Sequence, residues 1–571
     1  MKDFPGSRKN KKNIYRDGQI IKKASKFAEN LDLYNQAFDL QQKGNFAQAA
    51  KIYNLLIERK YFNEKTFINF AIVCQNIGDP NNAIKLFREA VKINPKNYLP
   101  FFKMGFILNN NGNYYEAYPF AKRAIDLEPK LWQGHHNLIK ILINLNRPKE
   151  AINFAMNAKN IFLKNHLFNG LLGDINSNIG NLEEAKKFYK AAISLKPNDY
   201  ETLYSYANFS MGIGNKKESI KLLNKILEKN QNHTISYYSL STIINVEEDE
   251  EIKNKILKMK SDDFKTYKDK YNILFSKSQI FHKLKDFEQS AEILKQANDL
   301  KLKDKPSNID TIIDFSKNIK IKTSSDKSFN KPKIKSLRDI FIVGLPRSGS
   351  TLIESIIGMN KDVHNLGENS IFLNSLMESE KSNYSNLDEL YLRYSNYFSS
   401  KKYTTNKSLS NYMYIPHLIT KLKHSKVIYT FRNPLDNLLS MYRAKFIGIG
   451  NEYSSSLIDS AKYYIHQFEI MCFYREKYKK YIYFLDYDNL VNNPETEIRK
   501  LISWLGFNWE DSYLYPHKSQ QAFFTASIVQ VRSPINNKSV GGWKKYSKIM
   551  NEPLTFFNQS NFSLDSFKNL I

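Results

Sequence analysis

The stretch FIVGLPRSGSTLIESII, residues 341–357, contains a glycine-rich turn between a predicted strand and a predicted helix. The phosphate-binding loops of nucleotide hydrolases follow the pattern G-x-x-x-x-G-K-[ST] in the same setting. Gly344, Gly349 and Thr351 stand in register with that pattern, but Ser350 occupies the lysine position. The stretch therefore predicts an anion-binding loop whose ligand differs from that of an ordinary nucleotide hydrolase.

The residues of this loop supply donors for an anion without the usual lysine. Apolar residues recur at helical spacing after the loop, so a helix is expected to begin there and to direct its first N–H groups and its dipole at the ligand. Arg347 brings a positive charge, and Ser348, Ser350 and Thr351 add hydroxyl donors. A plain glycine turn between strand and helix is the alternative.

A second group of candidate ligand residues lies in SKVIYTFRNPLDNLLSMYRAKF, residues 425–446. A strand is predicted just before Arg432, and Pro434 and Asp436 favour the start of a helix. Arg432 and Ser440 are eight residues apart, so Arg432 can fold back beside Ser440 if it precedes the helix. The spacing predicts that these two side chains share one phosphate group, and an Arg–Asp helix cap is the alternative.

The first half of the chain contains an internal repeat. A residue suited to the turn between two helices recurs every 34 residues, at Gly44, Gly78, Gly112, Asn146, Gly180 and Gly214. A small residue that lets two helices approach closely follows five positions later, at Ala49, Ala83, Ala117, Ala151, Ala185 and Ser219. The pattern weakens over 241–277 and returns over 283–299, which gives about eight units over 37–311 with a degenerate seventh.

This repeat resembles the tetratricopeptide repeat, a pair of helices that stacks on copies of itself. The resemblance implies an all-α solenoid whose concave face binds an extended peptide or a partner protein. A rigid spacer or a dimerisation arm is the alternative, and the oligomeric state is left open.

The composition is that of a basic chain with several folded domains. The 571 residues carry a formal net charge of +28 and only two cysteines, Cys74 and Cys472, so no disulfide framework is expected. A positive charge is suited to anionic ligands. However, the chain is rich in Lys, Asn and Ile, and this general bias in composition accounts for most of the positive charge. No nucleic-acid partner is therefore expected. A charged N-terminus and the lack of a long apolar run predict a cytoplasmic protein without a membrane span.

The segments GLPRSGST and YTFRNPLDNLLS together resemble the sulfotransferases that use 3′-phosphoadenylyl sulfate (PAPS). They are most similar to the tyrosylprotein sulfotransferase branch and to bacterial proteins that join tetratricopeptide repeats to a sulfotransferase domain. The resemblance covers about 338–550 and implies that the first segment holds the 5′-phosphosulfate of PAPS and the second its 3′-phosphate. It also implies transfer to an acceptor hydroxyl without a metal, with protein tyrosine, a glycan or a small hydroxyl compound as open acceptor classes.

The same resemblance implies roles for individual residues. Glu368 in VHNLGENS is the expected base, with a helix-capping carboxylate as its alternative and His364 as a weaker candidate base. Lys407 is expected to stabilise the leaving group, with a solvated lysine as its alternative, and Ser527 to stabilise the transition state. The expected donor-binding residues are Pro346, Arg347, Ser348, Gly349, Ser350, Thr351, Arg432, Ser440, Tyr487, Arg532 and Lys538.

The C-terminal segment 525–546 resembles the part of the family that covers the donor, but three positions depart from the family pattern. Gly542, Ser533 and Ala444 stand where related enzymes carry basic residues. The side chains available as substitutes are Arg532, Lys538, Lys544 and Lys545, and Arg443 and Lys445 flank the third position. These departures affect the residues expected to bind the 3′-phosphate more than the loop expected to bind the 5′-phosphosulfate.

The predicted fold class is therefore a multidomain chain, with an all-α tetratricopeptide solenoid followed by an α/β, P-loop-like sulfotransferase domain around a central parallel sheet. Four regions are expected: a basic N-terminal segment and capping helix (1–36), the repeats (37–311), a polar linker (312–337) and the sulfotransferase domain (338–571).

Two other functions stay open at this point. A P-loop kinase or nucleotide hydrolase needs magnesium, and YIYFLDYD, residues 481–488, is an arguable strand for its ligand. Ser350 and the second phosphate motif favour a sulfotransferase over that class. A repeat scaffold with a non-catalytic transferase domain is disfavoured by the presence of Glu368 and Lys407.

Overall fold

The structure is a computed structural model. The residues that it describes are 26–145, 147–329, 335–381, 386–398, 400–446, 450–519, 521, 525, 527–560 and 562–564. Asn146, one of the predicted turn residues, and most of the predicted N-terminal segment lie outside these ranges. By its internal contacts the chain divides into one unit formed by Met1–Leu145 and Glu150–Phe162 and a second formed by Asn146–Lys149 and Leu163–Ile571.

The first unit consists of repeat helices. Its helices are α1 (26–42), α2 (Phe46–Glu58), α3 (Glu64–Asn76), α4 (Pro80–Ile93), α5 (Tyr98–Asn110), α6 (Tyr114–Leu127), α7 (Trp132–Asn144) and, from Glu150 onward, α8 (Pro148–Phe162). Gly44, Gly78 and Gly112 have φ values of 77°, 84° and 80°, the left-handed conformation that turns one helix into the next. The small residues Ala49 and Ala83 are fully buried where neighbouring helices meet. The repeat prediction is confirmed here.

The repeats continue in the second unit. Its first helices are α9 (His166–Asn178), α10 (Leu182–Leu195), α11 (Tyr200–Gly212), α12 (Lys216–Lys229), α13 (Thr234–Ile243), α14 (Glu250–Lys258), α15 (Tyr267–Lys283) and α16 (Phe287–Asp304). Gly180 and Gly214 repeat the left-handed turn, with φ values of 83° and 85°. In the degenerate seventh repeat the helices are short, since α13 has 10 residues and α14 has 9.

Helix α17 (Ile309–Ser325) follows the last repeat and covers the first part of the segment 312–337, where the sequence predicts a polar linker. Its apolar residues Ile312, Ile313 and Ile319 pack against the core of the second unit. A few apolar contacts on one face are thus enough to hold a mostly polar segment as a helix.

A parallel five-stranded sheet forms the centre of the α/β part of the second unit. Its strands are β1 (Asp339–Gly344), β2 (Val363–Asn365), β3 (Tyr403–Asn406), β4 (Ser425–Phe431) and β5 (Ile482–Asp486). Their order across the sheet is β2-β3-β1-β4-β5, and every neighbouring pair is parallel. The loops that follow β1, β4 and β5 therefore meet at one edge, which is where open parallel sheets bind ligands. This sheet confirms the predicted fold class.

Helices surround the sheet, and alternating residues of β1 enter two different cores. The helices are α18 (Ser350–Ile357), α19 (Ile371–Lys381), α20 (Leu387–Ser395), α21 (Ile415–Thr420), α22 (Pro434–Arg443), α23 (Leu457–Tyr478), α24 (Tyr487–Asn492), α25 (Pro494–Leu505), α26 (Ile528–Val531) and α27 (Ser547–Gln559). Ile340 and Ile342 pack in one core, whereas Phe341 packs in a core that also contains Leu274 and Leu294 of the repeats. The later repeats and the sheet therefore share a hydrophobic core. Across the described parts of the chain, no helix is both long and apolar enough to span a membrane.

Candidate active site

The predicted anion-binding loop connects β1 to α18. Strand β1 is buried along its whole length and ends at Gly344, and α18 begins at Ser350. Gly344, Arg347 and Gly349 have φ values of 148°, 68° and 96°, so the backbone of the loop turns sharply at these residues. The first N–H groups of α18 have no acceptor within the helix and carry the positive end of its dipole. A strand, a glycine-rich turn and a helix N-terminus follow one another here, as they do in the anion-binding loops of other proteins.

Strand β4 supports the loop from the neighbouring position in the sheet. A Cβ atom on Gly344 would collide with the carbonyl oxygen of Thr430, so only glycine fits there. Ser348 Oγ donates a hydrogen bond to the carbonyl oxygen of Leu345 at 2.7 Å and lies 2.5 Å from Thr430 Oγ1. The hydroxyl of Ser348 therefore shapes the loop itself.

Tyr487, at the end of β5, packs directly on the loop. A Cβ atom on Gly349 would collide with the Tyr487 ring, which makes glycine necessary at this position as well. The guanidinium carbon of Arg432 lies 4.9 Å from the centroid of the same ring. One aromatic ring thus contacts the loop after β1 and the residue that follows β4.

Arg347 connects the loop to two other segments of the second unit. Its Nε donates to Ser440 Oγ on α22 at 3.1 Å, and its Nη1 donates to Ser527 Oγ in the C-terminal segment. Burial, followed by the positive charges of Arg432 and Arg443, lowers the pKa of Arg347 to about 10. A site that destabilises its own cations in this way is suited to an anionic ligand, which would offset the repulsion.

Arg432 lies buried at the C-terminal end of β4, where the sequence predicts it. Its Nη2 donates to the carbonyl oxygen of Ser539 at 2.9 Å, and its Nε lies 3.8 Å from Asp488 Oδ1. Ser440, which the sequence pairs with Arg432, accepts the hydrogen bond from Arg347 instead. That Arg432 and Ser440 share one phosphate therefore stays a prediction.

Asp436 attaches the C-terminal segment to the start of α22. Its two carboxylate oxygens accept hydrogen bonds from the N–H groups of Gly541 at 2.7 Å and Trp543 at 2.9 Å. Asn433 caps the helix, because its Oδ1 accepts the N–H of Asp436 at 3.2 Å. The segment that resembles the donor-covering part of the family is thereby held at the edge of the sheet where the strands end.

Glu368 and Lys407 are direct partners. Lys407 Nζ donates to Glu368 Oε1 at 2.6 Å. Lys407 follows β3 and is fully buried, whereas the Glu368 side chain is 52% exposed. The N–H of Lys407 also donates to the carbonyl oxygen of Gly367 at 3.0 Å. Lys407 is thus not a solvated lysine, and its charge is directed at an accessible carboxylate.

A second carboxylate, Glu354 on α18, completes this group from the buried side. Its Oε1 accepts hydrogen bonds from the N–H of Gly367 at 3.1 Å and from Thr405 Oγ1 at 2.9 Å, and its Oε2 lies 4.0 Å from Lys407 Nζ. Burial raises the pKa of Glu354, and the charge of Lys407 lowers it. Glu354 therefore holds both the lysine and the turn that carries Glu368.

Glu354 is not among the residues predicted for the site, although the sequence contains a signal for it. Glu354 interrupts the apolar residues of α18, between Ile353 and Ile356. A carboxylate among residues that face a core is expected to be buried and paired. Its partner Lys407 is far along the chain, so the pairing itself becomes visible only in the folded protein.

The basic residues considered for binding the 3′-phosphate of the donor lie in different surroundings. Lys538 is exposed, and Arg532 donates to three backbone carbonyls. Lys445 Nζ donates to Asn272 Oδ1 of the repeats at 2.7 Å. Arg443 lies close enough to lower the pKa of Arg347. Arg443 is thus one of the basic residues considered for the 3′-phosphate, and its charge acts on Arg347 of the loop.

Pro346 and Thr351 lie in the loop and at the start of α18, whereas His364 lies in β2, an outer strand of the sheet. The carbonyl oxygen of Pro346 accepts a hydrogen bond from Asn437 Nδ2 at 3.0 Å. Thr351 Oγ1 lies 3.5 Å from Thr525 Oγ1 of the C-terminal segment. His364 lies within β2, where burial lowers its pKa.

The carboxylates of the segment 481–488 hold the ends of neighbouring strands. Asp488 Oδ2 accepts the N–H of Asn433 at 2.6 Å, and Asp486 Oδ1 accepts the N–H of Asp488 at 2.9 Å. Among the described residues, no three or more His, Cys, Asp or Glu side chains are grouped so that they could hold a metal ion. Asp488 contacts both Asn433, which caps α22, and Arg432, whose Nε lies 3.8 Å from Asp488 Oδ1.

Comparisons with known families match both parts of the chain. Residues 382–511 match the Sulfotransferase family, and residues 65–97, 180–244 and 271–304 match the Tetratricopeptide repeat. The chain therefore contains tetratricopeptide repeats and, in its α/β part, a domain of the sulfotransferase type. The first match includes β3, β4 and β5 with the residues that follow them.

The individual proteins that match this chain share less than a third of its residues over the matched region. A protein of Aquifex aeolicus (strain VF5), described as an uncharacterized protein, is 29% identical over 241 residues, or 38% of this chain. The chain spans 31% of the length of that curated relative. Among solved structures, a tetratricopeptide repeat protein from Parabacteroides merdae ATCC 43184 is 13% identical over 50% of this chain and 95% of its own, with a TM-score of 0.35. The protein pilF of Pseudomonas aeruginosa is 14% identical over 38% of this chain and 99% of its own, with a TM-score of 0.32.

Proposed function

We propose that the protein is a sulfotransferase that moves a sulfuryl group from PAPS to an acceptor hydroxyl. The observation that carries this proposal is the pair of hydrogen bonds from Arg347 to Ser440 and Ser527. They join the loop after β1, the helix after β4 and the C-terminal segment around one positive charge. These are the three segments in which the sequence resembles PAPS-dependent sulfotransferases, and the family match over 382–511 supports the same class.

The chemistry of the site suits a donor that carries two separate anionic groups. The N–H groups at the start of α18 and the guanidinium of Arg347 would hold the 5′-phosphosulfate. Arg432 and Ser440 would hold the 3′-phosphate, and the ring of Tyr487 would pack on the donor beside Gly349. The lowered pKa of Arg347 supports this assignment, because a bound anion would further stabilise the charged guanidinium.

The transfer step uses the pair formed by Glu368 and Lys407. The oxygen of the acceptor hydroxyl forms a bond to sulfur while its proton moves to the carboxylate of Glu368. The bond between sulfur and the bridging oxygen breaks, and its electron pair remains on adenosine 3′,5′-bisphosphate. Lys407 and Ser527 stabilise the charge that develops on that oxygen. Glu354 holds Lys407 in position from the buried side.

The repeats are proposed to bind an extended acceptor or a protein partner, as tetratricopeptide repeats commonly do. A protein tyrosine or a glycan suits such a surface better than a small metabolite. Incubating a native lysate with isotopically labelled PAPS and the protein, followed by mass spectrometry, would identify the acceptor by the mass of an added sulfuryl group. An extended acceptor should carry the label.

The test of the donor compares adenosine 3′,5′-bisphosphate with ADP by isothermal titration calorimetry. We expect the bisphosphate to bind about 10- to 100-fold more tightly, because the 3′-phosphate adds at least one charge-assisted hydrogen bond worth about 1.5–3 kcal/mol. Tighter binding of ADP with magnesium would indicate a P-loop kinase or hydrolase instead. Binding of neither compound would indicate a scaffold with a non-catalytic domain.

Gly349→Ala is expected to weaken binding of adenosine 3′,5′-bisphosphate by about 10-fold or more. The added methyl group would collide with the Tyr487 ring at a residue whose φ is 96°. The left-handed backbone alone costs a non-glycine residue about 1–2 kcal/mol, and 1.4 kcal/mol corresponds to about a factor of ten in affinity. Calorimetric titration of the variant measures this loss.

Gly506→Ala is the matched control for this experiment. Gly506 follows α25 with a φ of 80°, and a Cβ atom there would meet open space. The variant therefore carries similar backbone strain away from the loop, and its affinity for the bisphosphate should equal that of the unchanged protein. An equal loss in both variants would refute a specific role of the contact between Gly349 and Tyr487.

A further inference from the structure

Arg532 connects the later repeats to the segment that carries Ser527. Its Nη1 donates to the carbonyl oxygen of Ser519 at 2.6 Å. Its Nη2 donates to the carbonyl oxygens of Gln521 at 2.7 Å and Gly212 at 3.0 Å. Gly212 is the last residue of α11 in the repeats, so one guanidinium binds backbone from two parts of the second unit.

The position of Arg532 at the end of α11 is favourable for physical reasons. The last carbonyl groups of a helix have no donor within the helix and carry the negative end of its dipole. A guanidinium satisfies such carbonyls with several N–H donors held in a rigid plane. Burial lowers the pKa of Arg532, so its bonds to carbonyl oxygens are needed to stabilise the buried charge.

Ser527 and Arg532 are separated by a single helical turn. Helix α26 lies between them, and the N–H of Val531 donates to the carbonyl oxygen of Ser527 at 3.1 Å. Ser527 Oγ in turn accepts a hydrogen bond from Arg347 of the loop. A shift of Arg532 would therefore move Ser527 relative to the loop.

We propose that Arg532 is a positioning residue. It anchors the C-terminal segment 525–546, which carries Ser527, to α11, so that the repeats of the second unit help to position Ser527 in the transfer site. This inference rests on the proposed sulfotransferase function. It replaces the role of donor ligand that the sequence resemblance implies for Arg532. The guanidinium faces the carbonyl oxygens of Ser519, Gln521 and Gly212, which would repel a phosphate group.

The experiment compares Arg532→Gln, Arg532→Lys and the control Lys518→Gln in the full-length protein. Lys518 is an exposed lysine directly before Ser519, so its variant removes an equal charge but keeps the bond between Arg532 and Gly212 of α11. Three quantities are measured: the Kd of adenosine 3′,5′-bisphosphate, the maximal rate of transfer from saturating labelled PAPS into a native lysate, and the thermal midpoint.

Arg532→Gln is expected to lower the maximal rate by about 10- to 100-fold, because a displacement of about 1 Å is enough for such a loss. The Kd of the bisphosphate should change by less than about 2-fold. Arg532→Lys should recover part of the rate, and Lys518→Gln should behave as the unchanged protein. In a Ser527→Ala background, Arg532→Gln should have little further effect on the rate, because residues that act through one another are not additive.

A donor ligand and a positioning residue give different results. If Arg532→Gln weakens the bisphosphate in proportion to the rate, Arg532 binds the donor and the proposal is overturned. An unchanged rate, or full additivity with Ser527→Ala, overturns it as well.

A readout that does not depend on transfer is amide hydrogen exchange. Peptides that cover Ser519, Gln521 and the end of α11 should exchange faster in Arg532→Gln than in Lys518→Gln, because local opening becomes easier when these bonds are lost. Equal exchange in the two variants would show that the anchor does not exist. If the unchanged protein instead failed to prefer adenosine 3′,5′-bisphosphate over ADP, the proposed function would fail while the exchange result would still report on the anchor.

Discussion

Replacing Glu368 by glutamine is expected to slow transfer from PAPS by about 100- to 10,000-fold, the usual contribution of a general base. Glutamine has nearly the same shape and can still accept a hydrogen bond from Lys407, but it cannot take the proton of the acceptor. The affinity for adenosine 3′,5′-bisphosphate should stay the same, because Glu368 contacts Lys407 rather than Arg347. Initial rates with labelled PAPS and calorimetric titrations measure the two effects separately.

Glu389→Gln is the matched control for the base. Glu389 is an exposed glutamate on α20 of the same α/β part, so its variant removes the same charge at a distance from Lys407. Its rate should equal that of the unchanged protein. A Glu368 variant that transfers sulfate at a rate similar to Glu389→Gln would disprove the role of base, while the class of enzyme would still stand on the bisphosphate titration.

Replacing Lys407 by methionine is expected to reduce both the transfer rate and the stability of the protein. Methionine fills a similar volume without the charge, so the rate should fall by about 100-fold or more. Lys407 is fully buried, and its partner Glu354 is 2% exposed. Removing one member of a buried ion pair costs about 3–5 kcal/mol, because the other charge is left without compensation. Urea unfolding measures the stability, and labelled PAPS measures the rate.

The loss of stability in Lys407→Met is expected to depend on pH in one direction. Burial raises the pKa of Glu354 and Lys407 lowers it, so without the lysine this pKa rises further. A carboxyl whose pKa is higher in the folded than in the unfolded protein binds its proton more tightly when folded. The stability that the variant loses relative to the unchanged protein should therefore be smallest in acid and should grow as the pH rises through the raised pKa of Glu354. Urea midpoints at about pH 5 and about pH 8 test the sign of this change.

A double variant, Lys407→Met with Glu354→Gln, separates stability from chemistry. It leaves no buried charge at this position, so the stability should return toward that of the unchanged protein and the added pH dependence should disappear. The introduced glutamine is not charged but can still accept a hydrogen bond from the backbone N–H of Gly367, as Glu354 does. The transfer rate should stay low, because the charge that stabilises the leaving group is absent. Recovery of the rate would mean that Lys407 acts only on stability.

The sequence predicted the features that depend on neighbouring residues. The 34-residue period could be predicted because a turn residue recurs at the same position in successive repeats. Gly180 and Gly214 indeed have φ values of 83° and 85°. The loop between β1 and α18 could be predicted from the sequence because a strand, glycines and a helix follow one another directly. The helical state of 312–325 was harder to predict, because it depends on packing against the core of the second unit.

The sequence alone determined the repeat, the parallel-sheet domain and the position of the glycine-rich loop between β1 and α18, because periodicity and turn chemistry are local properties of the chain. Only the tertiary structure decided which side chains meet. Glu354 approaches Lys407, Arg347 binds Ser440 and Ser527, and the contact of Arg532 with Gly212 attaches the repeats to the Ser527 segment. Each of these contacts joins residues that are distant along the chain. Their pairing follows from how the loops converge at one edge of the sheet and from the cost of leaving a buried charge without a partner.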